Sequence, residues 1–414
     1  MIKIKENIIE IFVTIGILTI LLYSSTPNIY PDSQRYLAGN LHDPPLYYTL
    51  ISIMQFIFGT LNSVVILQTL IIGFSIIYFS KIVTILFNLD IVTKSIIIFF
   101  LYIPILQFYD HLLTEPIGYG FSLFLVSFII KLIYNFNIQN IIWSTIFVIA
   151  LLLLRNQFLF LYPVIFLLYL GVLILYQTKK KFIYLIISFL CIFTIHNTLL
   201  GLNGYIGKSL SENKNHTTDT KGVFFFIYID SIYISSEKDA ESFKNKNIRK
   251  TVGVILKEME NKKALMKNYD SRGHFSLSLK EIRNYSEILL KDLALKENTT
   301  VNNLKKIITI KLITLNFRKY IKHTFKKFYD STWLFTFVPF FMMIASLISF
   351  NKNKSKYSLL ILFLSIFSIA NHSIVYLFGR VQPRYFIYTD FVLLIFIFIT
   401  FVIFFKKRNN LDKY

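Results

Sequence analysis

Two kinds of residue in this chain could do chemistry together: acids just past apolar stretches, and arginines at the ends of others. Asp32 lies in Tyr30-Pro31-Asp32-Ser33-Gln34-Arg35-Tyr36, and Glu115 in Thr114-Glu115-Pro116, with Asp110 and His111 just ahead of it. Arg155 opens Arg155-Asn156-Gln157, and Arg380 and Arg384 stand on either side of Pro383. A carboxylate can take the proton of an attacking hydroxyl, and guanidinium groups match phosphate bidentately. Side by side, they suit transfer of a group from a phosphate-linked donor, with the departing charge held by the cations. In that reading Asp32 is the base and Glu115 or Asp110 assists. Arg380, Arg384 and Arg155 hold phosphate, and Arg35, His42, Tyr36 and Tyr47 complete the substrate side. Asp32 and Glu115 could instead share a divalent cation. No other cofactor is expected, because no zinc spacing, phosphate-binding Gly loop or dinucleotide fingerprint occurs.

Each of these residues also has a purely structural reading. Asp32 after Pro31 suits the cap of a short helix, and Thr114 suits a cap with Pro116 in the first turn. Arg155, Arg380 and Arg384 suit snorkelling from span ends to lipid headgroups. His42 and His111 lack the spacing that would strengthen a ligand role. Tyr36, Tyr47 and Tyr48 suit either an acceptor site or the interfacial aromatic belt.

The elements that must carry these residues are membrane helices. The 414 residues are 55% hydrophobic. Their apolar runs are continuous, as in spanning helices, rather than alternating, as in a barrel. About ten spans are expected, near 8–23, 62–87, 95–108, 117–134, 140–154, 158–176, 182–200, 332–350, 357–378 and 385–405. The first has no small-residue cleavage site behind it and is expected to be retained. A shorter apolar piece, Leu46 to Phe58, follows Pro44-Pro45 and suits a helix lying in the interface. With ten spans, Lys3/Lys5, Lys94, Lys179 to Lys181, Lys352/Lys354/Lys356 and Lys406 to Arg408 all fall on one side, the cytoplasmic one. The acid and arginine loops then share the outer face.

Three regions follow: a transmembrane core over 1–200, an extracytoplasmic insertion over 201–331, and C-terminal spans with a basic tail over 332–414. The insertion is polar and basic and is expected to be mainly helical, with 209–221 as linker or lid. The net charge of +21 fits basic cytoplasmic loops and anionic headgroups, and nucleic acid is not an expected partner. The lone Cys191 cannot form an intrachain disulfide.

The first outer loop resembles that of the GT-C glycosyltransferases, in particular protein O-mannosyltransferases and lipid A aminoarabinose transferases. Asp32-Ser33-Gln34-Arg35-Tyr36 and Pro44-Pro45-Leu46-Tyr47-Tyr48 carry the resemblance. Thr114-Glu115-Pro116 is similar to the family's second acidic loop, and Arg384-Tyr385 to an Arg-Tyr near its C-terminal end. The resemblance covers the core to about residue 200 and, more weakly, the last spans. It implies a GT-C-like all-α membrane fold and an inverting transfer of sugar from a polyprenyl-phosphate carrier to a lipid, glycan or protein acceptor. It also implies a site on the outer face of a bacterial cytoplasmic membrane. Asp32 inherits the first acidic role and Glu115 the second. The chain departs from the family at Asp43, which stands where a His or Lys often precedes the Pro-Pro. Two alternatives remain open: a polymerase or ligase of lipid-linked glycan repeats, and a non-catalytic transporter of lipid-linked glycan.

Overall fold

Prolines begin the first two described helices, because a residue without a backbone N–H loses nothing in a first turn that has no intrahelical partner. The computed structural model describes residues 26–37, 43–106, 108–210, 221–268, 275–378 and 383–411. Helix α1, Pro31–Leu37, starts on Pro31, and α2, Pro45–Phe58, starts on Pro45 behind Pro44. α2 ends at Gly59, whose φ of 70° is left-handed and whose N–H donates to the Gln55 carbonyl. A β-carbon there would meet no neighbour, so the backbone angle alone demands glycine.

The chain continues through α3 (Asn62–Phe87), α4 (Ile91–Tyr102), α5 (Thr114–Tyr134), α6 (Ile138–Leu154), α7 (Leu161–Tyr176) and α8 (Lys179–Leu210). Next come α9 (Lys221–Tyr233), α10 (Lys246–Asn261), α11 (Phe275–Lys296), α12 (Val301–Leu315) and α13 (Phe317–Asn353). The last two are α14 (Lys356–Phe378) and α15 (Ile387–Leu411). Among the described residues the protein is all-helical, and the one β-type pairing is a parallel bridge between Asn28 and His111.

Six helical stretches among the described residues are long and apolar enough to cross a membrane: Asn62–Phe87, Thr114–Tyr134, Asn156–Tyr176, Lys179–Ile206, Lys356–Leu377 and Ile387–Phe404. These coincide with the spans expected at 62–87, 117–134, 158–176, 182–200, 357–378 and 385–405, and they make this a multi-pass helical membrane protein. Two other expected spans are shorter helices. The one expected at 95–108 is α4, which gives way at Ile103–Ile105 to a tight 3-10 turn around Pro104. A proline there cannot donate to the helical ladder. At 12 residues α4 is about 18 Å long, and α6, at 17 residues, about 25 Å, each less than a hydrocarbon core of about 30 Å. The span expected at 332–350 lies inside α13, which starts earlier, at Phe317. The span expected at 8–23 and most of the expected linker, 211–220, lie outside the described residues.

The chain divides into two compact units. The first comprises Met1–Thr218, Leu334–His372 and Gln382–Tyr414. Here α5 is central: α3, α6 and α15 pack on it, and it is buried from Thr114 almost to its end. Water does not drive helices together in lipid, so close approach depends on small residues. A β-carbon on Gly118 would stand 3.0 Å from Tyr388 Cε1 and 3.2 Å from Phe158 Cζ, and one on Gly120 would stand 2.8 Å from Ile71 Cγ2.

The second unit comprises Asp219–Trp333 and Ser373–Val381. It has its own apolar core. α10 contributes Ile248, Val252, Ile255 and Met259 at helical spacing, and Ile229, Ile232, Leu304 and Ile308 meet them from α9 and α12. Asn245 caps α10 by accepting from the N–H groups of Asn247 and Ile248, and Thr300 caps α12 by accepting from Asn303. The unit begins at Asp219 rather than at 201, because α8 runs on to Leu210.

Candidate functional site

Four side chains from separate places in the sequence meet in the first unit. Glu115 sits in the first turn of α5 with 1% of its side chain exposed. Arg155 follows the last residue of α6, and its Nη1 lies 2.8 Å from Glu115 Oε1. Arg384 lies in a short turn, Pro383–Tyr385, just before α15, and its Nε is 3.1 Å from the same Glu115 oxygen. Arg384 Nη2 also reaches Asp32 Oδ2 in α1 at 3.3 Å. Arg384 therefore joins two acids of opposite character: Glu115 is enclosed, whereas the Asp32 side chain is 44% exposed.

The local structure explains this placement. α5 begins at Thr114 after Leu113 in extended conformation, with no side-chain cap. The expected capping role of Thr114 is therefore not what the structure shows. The Thr114 hydroxyl instead accepts from Arg155 Nη1 at 3.2 Å and donates to Glu115 Oε2 at 3.3 Å. Nor does Arg155 snorkel to headgroups, because its guanidinium turns inward onto Glu115 and lies 4.5 Å from the centre of the Tyr385 ring. The Arg384 guanidinium lies 5.3 Å from the same ring.

Neutral groups hold the Arg384 turn in place. Gln157 Nε2 donates to the Tyr385 carbonyl at 2.9 Å and to Asn371 Oδ1 at 2.7 Å, and Asn371 Nδ2 donates to the same carbonyl at 2.8 Å. The next residue, His372, has its Nε2 2.9 Å from Asp390, which also accepts from Ser368. The sequence reading assigned no role to Asn371, His372 or Asp390. Their signal was there, since polar and ionisable residues inside an apolar run are expensive and mark buried function.

The remaining expected residues are placed as follows. Tyr36 is buried and meets Tyr47 edge to face at 4.9 Å. Tyr47 is fully enclosed and donates to Gln68 Oε1 at 2.6 Å, while Gln68 Nε2 donates to the carbonyls of Tyr109 and His111. Tyr47 is thus a packing residue that steadies the 109–111 loop rather than a lining residue. Asp110 accepts from Asn28 Nδ2 at 2.6 Å and ties that loop to the segment before α1. Tyr30 Oη is 3.1 Å from His111 Nε2. Arg35 pairs with Asp43 at 3.4 Å, outside the Glu115 cluster. His42 and Arg380 lie outside the described residues.

Electrostatics sharpen the roles. Burial works against the Arg155 charge, but Glu115 outweighs it, so the guanidinium titrates well above its ordinary range. Arg384 shifts the same way for the same reasons. Burial pushes the Tyr36 phenol up to about 12, so it stays protonated at neutral pH. Burial also lowers the His111 imidazole below its ordinary value, against the pull of Asp110. Two carboxylates and two guanidiniums leave the cluster without excess negative charge. A divalent cation shared by Asp32 and Glu115 would face both arginines, so this donor set fits an anion better. Among the described residues no group of three His, Cys, Asp or Glu side chains comes together.

Comparisons with protein-family models, curated proteins and solved structures give no match to this chain.

Proposed function

We propose that the protein is a GT-C-like glycosyltransferase. It takes a sugar from a polyprenyl-phosphate carrier and passes it, with inversion, to a lipid, glycan or protein acceptor. The reading counts the short helices α4 and α6, which a locally thinned bilayer accommodates, among about ten spans with both termini in the cytoplasm. It puts the site on the outer face of a bacterial cytoplasmic membrane, since the lysine-rich short segments then all lie inside.

The observation that carries this reading is Arg384, held between enclosed Glu115 and accessible Asp32. The contact with Glu115 is the shorter and more buried of the two, so it is the one that persists. An incoming phosphate competes for the outer edge of the Arg384 guanidinium, where only the 3.3 Å contact with Asp32 must yield. Phosphate binding thereby releases Asp32. The freed carboxylate accepts the proton of the acceptor hydroxyl as its oxygen attacks the anomeric carbon from the face opposite the phosphate. The bond from that carbon to phosphate oxygen breaks, the electron pair stays on the phosphate, and Arg384, backed by Arg155, stabilises the polyprenyl phosphate that leaves. Glu115 positions the arginines and does not act as the base.

The test compares surface glycans and polyprenyl-linked lipids, by mass spectrometry, in a deletion strain carrying the wild type or Asp32→Asn. Loss of one sugar with accumulation of its monophosphate-linked donor, in both the deletion and the variant, is expected. Accumulation of pyrophosphate-linked repeats with loss of long chains would replace this reading with a polymerase or ligase. Normal glycans in the Asp32→Asn strain would remove Asp32 from the chemistry.

A further inference from the structure

Residues 298–329 contain eight Lys and Arg and no Asp or Glu. They form α12 and the opening turns of α13, within the second unit. One face of α12, Leu304, Ile308 and Leu312, is buried in that unit's core. Lys305 and Lys327 turn inward to Glu287 and Asp230. The other face is exposed and carries two chemistries. Lys306, Lys311, Arg318, Lys319 and Lys322 supply positive charge. Between them Ile307, Ile310, Leu315, Phe317, Ile321 and Phe325 are exposed apolar groups, Phe325 at 68%.

On α13, Phe317, Ile321 and Phe325 recur every four residues along one side with Arg318, Lys319 and Lys322 next to them, and on α12 Ile307 and Ile310 lie between Lys306 and Lys311 on the exposed side. Isolated exposed apolar residues need no explanation, but six of them beside five cations that pair with no acid among the described residues do. α10 shows what a merely solvated face looks like in the same unit: Lys257, Glu258 and Glu260 mix signs, with Val254 the apolar residue exposed among them. Apolar groups that enter the acyl boundary beside lysines that reach phosphates are the pattern of a helix lying at an anionic bilayer surface. The span expected at 332–350 follows within the same helix, α13.

We propose that this face of α12 and the start of α13 docks on the anionic phospholipid headgroups of the membrane that the protein spans. The proposal rests on the multi-pass character of the chain and is independent of the reaction proposed above.

The test uses the full chain in a Cys191→Ser background, with single fluorophore-labelled reporters at Ile310→Cys, Phe325→Cys and, as control, Lys257→Cys. Each is reconstituted in nanodiscs of phosphatidylcholine alone or with part replaced by phosphatidylglycerol, and quenching by neutral acrylamide is read. Anionic discs should lower quenching at 310 and 325 by about threefold and leave 257 unchanged. Raising the salt should reverse the protection, because the attraction is screened. Combining Lys306→Gln, Lys311→Gln, Lys319→Gln and Lys322→Gln should do the same. The salt arm uses the unaltered cations, so it decides the matter even if the combined variant folds poorly. Equal quenching in both lipids would overturn the proposal. So would protection already complete in phosphatidylcholine and insensitive to salt, which would mean that protein covers this face.

Discussion

Arg384 is the residue on which the site turns, because its two contacts ask different things of it. Placing Nε within ion-pair distance of Glu115 while Nη2 donates to Asp32 needs the spread of a planar guanidinium, which a single ammonium lacks. Arg384→Lys is therefore expected to raise the apparent KM for the lipid-linked donor about tenfold or more, in assays of detergent-solubilised protein. An unchanged KM would return Arg384 to a purely structural role. Glu115 and Asp32 should separate cleanly in stability. Glu115→Gln takes from Arg155 the carboxylate it pairs with and leaves Arg384 only its 3.3 Å contact with Asp32, so it should destabilise by about 3–5 kcal/mol. Asp32→Asn removes a half-exposed contact and should change stability by less than about 1 kcal/mol. Thermal unfolding of both variants beside wild type checks the contrast, and equal losses would refute it. The acids and arginines of this cluster were legible as sequence because charge next to apolar runs stands out. Gln157 and Asn371 were not, since a neutral amide says nothing of its partner until the fold brings the Tyr385 carbonyl within 2.9 Å. The inward turn of Arg155 was equally invisible, because headgroup and buried carboxylate attract the same guanidinium.

At the scale of elements, the site depends on how closely α5 and α15 approach. Gly118 lies one turn beyond Glu115, and a β-carbon there would press on Tyr388 at 3.0 Å, Phe158 at 3.2 Å and Leu154 at 3.3 Å. Tyr388 lies in the first turn of α15, four residues past Arg384. Gly118→Ala should therefore push the two helix ends apart, lower stability by about 1–3 kcal/mol and reduce turnover, although it touches no substrate. Gly201 is the matched control: it is helical with no atom within 4 Å of a built β-carbon, so Gly201→Ala should leave activity alone and stabilise by about 0.5–1 kcal/mol. Melting temperatures and transferase assays on the pair decide it, and a Gly118→Ala protein as active as wild type would show that the approach has slack. The long spans were readable from run length, since only about 20 apolar residues reach across the hydrocarbon. The limits of α4 and α13 were not. Pro104 converts the end of one apolar run into a turn, and a polar stretch extends the other helix beyond its apolar part.

At the scale of the molecule, two units with separate cores need not unfold together, and the second encloses an acid, Asp230, beside Lys327 and His323. Its change in composition was readable as a polar stretch between apolar runs. The Asp230 cluster was not, because its members lie about 90 residues apart in sequence and meet only when α13 packs on α9. Asp230 is enclosed, which alone would raise its carboxyl group. Lys327 at 2.7 Å and His323 at 3.2 Å outweigh burial and hold it below the ordinary carboxylate value. A carboxylate depressed by folding contributes stability that is fully present above its unfolded value, near 4, and disappears as pH falls through the folded one. Asp230→Asn removes that contribution and strands Lys327, so at pH 7 the variant should melt well below wild type. As pH falls below about 4, wild type loses the advantage, and the two melting curves should converge. The comparison matters more than either curve, because other carboxylates titrate in both proteins and cancel in the difference. A gap that stays constant from pH 7 to pH 3 would mean that Lys327 and His323 do not stabilise the Asp230 charge. A gap that narrows only under acid would assign an acid-sensitive step to the second unit.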